Sequence, residues 1–110
     1  MGNPVTRTYE AASVTPGPQT AVNLNYTPFG STFIGVSIED GTAAFSVEIT
    51  LNDVNSDATV VWFTLEDIPE GTAETSYASF QFPAAFVRLN IESITGTVHF
   101  IVAQSEDTRA

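Results

Sequence analysis

Ala43-Ala44-Phe45-Ser46-Val47-Glu48-Ile49-Thr50-Leu51 alternates without a break, with Phe45, Val47, Ile49 and Leu51 on one side and Ser46, Glu48 and Thr50 on the other. Successive side chains of an extended chain point to opposite faces, so such a run reads as a strand with one face in a core. A helix would need apolar positions three and four apart. No segment sustains that spacing, and residues 69–77 have room for one short helical turn at most.

The same rhythm continues on both sides of this stretch. Upstream, Thr32–Glu39 aligns Ile34, Val36 and Ile38, and Thr20–Tyr26 aligns Val22, Leu24 and Tyr26 against Asn23 and Asn25. Downstream, Phe86–Ile94 places Val87, Leu89 and Ile91 inward and Arg88, Asn90 and Glu92 outward. Gly96–Ala103 places Val98, Phe100 and Val102 inward and Thr97 and His99 outward. The tight Thr95–Gly96 connection between these two strands is a hairpin signal. In Thr59–Leu65, Val60, Val61, Trp62 and Phe63 are apolar in succession, which suits a strand covered on both faces. Ser79–Phe82 is short and stops at Pro83, as edge strands and strand ends do. Turn-forming residues separate the runs at 28–30, 39–41, 52–57 and 68–71. Seven to eight short strands in one small domain predict an all-β fold, a single antiparallel β-sandwich. Jelly-roll and immunoglobulin-like topologies both satisfy that strand count.

At 110 residues the chain has material for one core. Residues 1–19 carry Pro4, Pro16 and Pro18 and read as an extended N-terminal arm with one short strand, Val5–Tyr9. Residues 20–104 form the sandwich, and 105–110 a polar C-terminal tail.

Thirteen carboxylates against three arginines and no lysine give a formal charge of −10. Phosphate recognition needs cations, so nucleic acid is not an expected partner. The chain has no cysteine, hence no disulfide or thiolate zinc site. No apolar run approaches the roughly 18 residues of a membrane span, and the N-terminus lacks the apolar segment of a secretory signal. Met1-Gly2-Asn3-Pro4-Val5-Thr6 fits the short myristoylation pattern. It lacks the polybasic second signal that stable anchoring requires, so no membrane partner is expected.

Groups that carry chemistry are sparse. His99 would need a nucleophile or carboxylate beside it to act as a base, and nothing in the sequence supplies a nucleophile motif. Asp53-Val54-Asn55-Ser56-Asp57 begins like a calcium loop, but Ala58 stands where glycine is required and Thr64 where a bidentate glutamate is required. It reads as a turn. Glu66, Asp67, Glu70 and Glu74 read as a solvated acidic loop. No catalytic residue, metal or cofactor is expected, and an enzyme is not the expected function.

Aromatic usage says more. Eight Phe, three Tyr and one Trp exceed what one thin core holds, and Phe29, Phe33, Phe80, Phe82 and Phe86 fall at strand ends or opposite the main inward set. Either loops and the arm cover both sheet faces, or these rings form an interface, where aromatic anchors dominate binding. The candidate interface set is Val5, Arg7, Tyr9, Phe29, Phe80, Phe82, Phe86 and Arg88. Within it the arm strand either frays or adds to a neighbour's sheet edge. Arg88 is expected to pair with Glu48 or Glu92.

The stretch Val60-Val-Trp-Phe-Thr-Leu-Glu-Asp-Ile68, then Phe82-Pro-Ala-Ala-Phe-Val-Arg-Leu-Asn-Ile91, then Thr95-Gly-Thr-Val98 and a terminal strand resembles the second half of tailed-bacteriophage capsid decoration (cement) proteins. The likeness spans about residues 60–104. It implies a non-enzymatic structural protein on the outer capsid surface of a virion, made in the host cytoplasm. Its implied partners are the major capsid protein and its own copies in a homotrimer. The alternative is a carbohydrate- or receptor-binding module of a tail fibre or adhesin, with Trp62, Tyr26 or Tyr77 as the stacking platform. A small hydrolase is the third reading.

Overall fold

The computed structural model describes residues 5–24, 31–51, 60–81 and 84–104. Nine strands are formed among them. They are β1 (Val5–Glu10), β2 (Gly17–Pro18), β3 (Val22–Asn23), β4 (Thr32–Glu39), β5 (Ala43–Thr50), β6 (Trp62–Thr64), β7 (Ser76–Phe80), β8 (Phe86–Ile94) and β9 (Thr97–Gln104).

All pairings are antiparallel, and they nest: β5 with β6, β4 with β7, β2 and β3 with β8, β1 with β9. The chain is therefore one long hairpin folded back on itself. Rolling that hairpin brings β9 against β4 and β8 against β5 as well. The result is two sheets, β1-β9-β4-β7 (sheet A) and β2-β8-β5-β6 with β3 also on β8 (sheet B). The links β1–β2, β3–β4, β4–β5, β6–β7, β7–β8 and β8–β9 all join strands of different sheets. This winding is the jelly-roll form of the β-sandwich, which decides between the two topologies the strand count allowed.

Two of the crossings are stacked at one end. Thr95 N–H donates to the Thr42 carbonyl at 2.8 Å, and Thr42 N–H donates to Thr95 Oγ1 at 2.9 Å. Asp40 takes a φ of 55° and Gly41 a φ of 150° to turn the first corner. A β-carbon on Gly96 would collide with the Asp40 carbonyl oxygen, and one on Gly41 would lie 2.8 Å from the Gly96 backbone. The Thr95–Gly96 connection is thus an arch between sheets, and the expected β8–β9 hairpin is corrected. A tight turn looks the same locally in both cases; contact with the neighbouring arch selects this one.

The core lies between the sheets. Ile34 and Val36 of β4, Ala78 and Phe80 of β7, and Val98, Phe100 and Val102 of β9 face Phe45, Val47 and Ile49 of β5 and Val87, Leu89 and Ile91 of β8. Glu92 is an extra residue on β8, since Phe45 sits opposite Ile91 while Ala44 sits opposite Ser93. The bulge resets the alternation and sends Glu92 outward, where it accepts the Gly71 N–H at 2.6 Å. After β6 the chain stays against β5, and Ile68, from a segment read as a turn, is fully buried.

Several expectations are corrected. β6 is the outer strand of sheet B, with Val61 and Phe63 half exposed, so the apolar run is not covered on both faces. Leu51 lies past the end of β5 and is exposed. The arm is no free arm: Val5–Glu10 pairs along its length with β9 of its own chain.

Candidate functional site

Directly paired residues of antiparallel strands share a face, so the register defines what each sheet shows to solvent. On the outer face of sheet A, Ile101, Gly35 and Tyr77 stand in one row across β9, β4 and β7. The adjoining row is Ala103, Phe33 and Ser79. Phe33 is 49% exposed, Tyr77 88% and Ile101 37%. Gly35 lies between Ile101 and Tyr77, and nothing lies within 4 Å of where its β-carbon would be. The patch is therefore apolar and open, with a low centre.

Beside it runs a polar row. His99 Nδ1 is 3.1 Å from Thr8 Oγ1 on β1, and His99 Nε2 is 3.2 Å from Glu39 Oε2 on β4. A neutral imidazole protonated at Nε2 satisfies both contacts, donating to Glu39 and accepting from the Thr8 hydroxyl. Hydroxyl, imidazole and carboxylate stand in the order of a nucleophile triad. They do so on an open sheet, with Thr8 exposed and Glu39 61% exposed, where water screens the charges that catalysis would use. The row ties β1 and β4 to the strand between them.

The outer face of sheet B is closed by its own side chains. Arg88 Nε donates to Glu48 Oε1 at 2.6 Å, and the guanidinium carbon lies 3.9 Å from the centre of the Trp62 ring. Phe86, Thr50 and Trp62 share this face by register, and Thr50 Oγ1 donates to the Val61 carbonyl at 2.7 Å. The sequence expected Arg88 to pair with Glu48 or Glu92; Glu48 is the partner, and Trp62 is an addition that only the register reveals. With Arg88 on one face of its ring, Trp62 is a poor stacking platform.

The candidate interface residues therefore separate. Phe80 is buried on the inner face of β7, and Phe86 is covered on the outer face of sheet B beside Thr50, so the expectation that either ring is exposed for an interface is corrected. Their positions at strand ends look exposed in sequence, but the opposing sheet covers one and the Arg88–Trp62 cluster flanks the other. Val5, Arg7 and Tyr9 lie on the side of β1 that faces the sandwich. Arg7 Nη1 donates to the Thr20 carbonyl at 3.3 Å, and Tyr9 packs against the core. Arg7 and Tyr9 thus hold the strand to its own fold, while Val5 at its start stays 37% exposed. Burial raises the Tyr9 phenol above its ordinary value, against the opposing pull of the nearby Arg7 charge. Phe29, Phe82, Tyr26 and the Asp53–Asp57 turn lie outside the described residues. Among the described residues no cluster of three metal-ligating side chains occurs. The exposed patch was only half visible in sequence, through Phe33 as a spare aromatic and Tyr77 as a stacking platform.

No protein-family profile matches the chain, and neither the curated proteins nor the solved structures contain a match to it.

Proposed function

We propose that this chain is a non-enzymatic structural protein that decorates the outer surface of a tailed-phage capsid as a cement protein. In this reading it docks on the major capsid protein through the outer face of sheet A and works as a trimer. The observation that carries the reading is the patch of Phe33, Gly35, Tyr77 and Ile101, apolar side chains on three strands that the subunit's own fold leaves uncovered. Exposed apolar patches rimmed by polar groups mark association surfaces, and aromatic residues supply their anchors. The sequence likeness over residues 60–104 supports a capsid as the partner.

The test is to titrate undecorated shells with wild-type protein and with a Phe33→Ser, Tyr77→Ser double variant, counting copies per particle by quantitative mass spectrometry. Hundreds of wild-type copies per shell and loss of saturation in the variant are expected. Particle imaging should place the copies in threes. Wild-type protein present in only a few copies at the tail would replace this reading with a fibre or adhesin module, for which Tyr77 offers a stacking face.

A further inference from the structure

β6 and β7 end sheet B and sheet A on the same side of the sandwich, and a cleft of about 350 Å³ opens between them. Its walls are Ile49, Phe63 and Leu65 on one side and Ala78 and Phe80 on the other, with Glu66 and Asp67 at the rim. Phe63 is the odd residue. Its register partner Ile49 is in the core, so Phe63 faces inward, yet it remains 52% exposed. An inward aromatic that its own fold does not cover is a contact surface in waiting.

We infer that this cleft is a socket for an extended segment of the docking partner, one that inserts a single apolar side chain against Phe63 and sets a lysine or arginine beside it. The inference deepens the docking function proposed above and rests on it. Three observations select this occupant. The cleft lies between β6 and β7, the edge strands of their sheets among the described residues, and edge strands offer backbone hydrogen bonds to an added strand whatever its sequence. The rim carries two exposed carboxylates, so charge complementarity calls for a cation next to the apolar anchor. A second copy of this chain brings thirteen carboxylates against three arginines, of which Arg7 and Arg88 are already engaged in the fold. The cleft also adjoins the proposed docking face, because Ser79 lines it while sharing the outer row with Phe33. A partner resting on that face can thus reach into the socket.

The probe is a synthetic peptide, Gly-Ser-Val-Leu-Lys-Val-Arg-Ser-Gly, followed by amide chemical shifts on the full chain. Shifts confined to β6, β7 and the turn after β6 are expected. Affinity should fall about tenfold or more when serine replaces the leucine, or when glutamate replaces both basic residues. Phe63→Ala should weaken binding to the same extent, and so should the Glu66→Gln, Asp67→Asn pair, which leaves the apolar walls intact. Shifts scattered over the surface, or equal binding of the glutamate peptide, overturn the socket. If the peptide fails while shells still saturate through Phe33 and Tyr77, the socket falls and the docking function stands. If the peptide binds the cleft while shells do not saturate, the docking function falls and the socket's partner lies elsewhere.

Discussion

The two outer faces of this sandwich are written in the same alternation and have opposite fates. On sheet B, Arg88 lies over Trp62 and bonds Glu48, Thr50 is buried, and the face is closed by its own groups. On sheet A, Phe33, Tyr77 and Ile101 stand in solvent around Gly35. A strand pattern only says that a residue points away from the core. What meets it there depends on the neighbours across the sheet, which are 40 residues away in sequence for Glu48 and Arg88. The sheet B face satisfies its own groups, whereas the sheet A face leaves apolar side chains in water.

The most severe way to break this contrast is to disturb the corner that holds both faces in register. Gly96→Ala forces a β-carbon onto the Asp40 carbonyl, a backbone atom that has no rotamer to escape into. We expect a loss of about 3 kcal/mol or more and a melting temperature lower by roughly 10 °C or more. A change under about 0.5 kcal/mol by denaturant titration would show that the arches do not constrain each other.

Arg88→Leu tests the closed face by itself. It removes the stacking cation and leaves Glu48, 15% exposed, without its partner. The expected cost is about 2 kcal/mol. In a double-mutant cycle with Glu48→Gln, most of that cost should disappear, because the stranded charge is then absent. Additive effects would mean that Arg88 acts through Trp62 alone.

Tyr9 gives a smaller effect, and one that depends on pH. Its phenol is raised above about 10 in the fold, chiefly by burial, and the hydroxyl has no hydrogen-bond partner among the described residues. The unfolded chain therefore gives up this proton at a pH where the folded chain keeps it. Stability from this group is intact below pH 10 and declines as the pH rises above it. Urea titrations at pH 9 and pH 11 should show the decline in the wild type and a shallower one in Tyr9→Phe. At neutral pH the variant should be as stable or slightly more so, since an unsatisfied buried hydroxyl is removed.

The smallest effect on stability falls on the face proposed to bind. Phe33→Ser with Tyr77→Ser should leave the unfolding free energy within about 0.5 kcal/mol of wild type, because the fold scarcely uses these rings. A loss of 2 kcal/mol would make the open face a structural surface and remove the contrast.

Legibility in the sequence followed from how local each signal was. The bounds of Thr32–Glu39 and Phe86–Ile94 were read directly, because long period-two runs declare themselves. The sandwich followed from their number and spacing. The jelly-roll winding did not, because it depends on β9 lying between β1 and β4 and on Gly41 meeting Gly96. The Val60–Phe63 run looked doubly covered because uninterrupted apolar sequence does not distinguish a central strand from an edge beside a cleft. Phe33 and Tyr77 stand out in the sequence only as separate aromatics. Gly35 does not stand out, since a glycine shows its use only when the side chains across the strands are known.

The nested pairing also sets the order in which the chain can be completed. β1, the first of the described strands, pairs among them with β9 alone, the last of them. During synthesis β1 lacks its described partner, and the β4 edge away from β7 stays open, until Thr97–Gln104 arrives to lie between them. Contacts of such sequence separation make folding slow and leave strand edges open to wrong partners meanwhile. A chain cut short before Thr97 would lack more than one strand of eight residues. Sheet A would shrink to the β4–β7 ladder, and β1 would be left with no described strand to pair with.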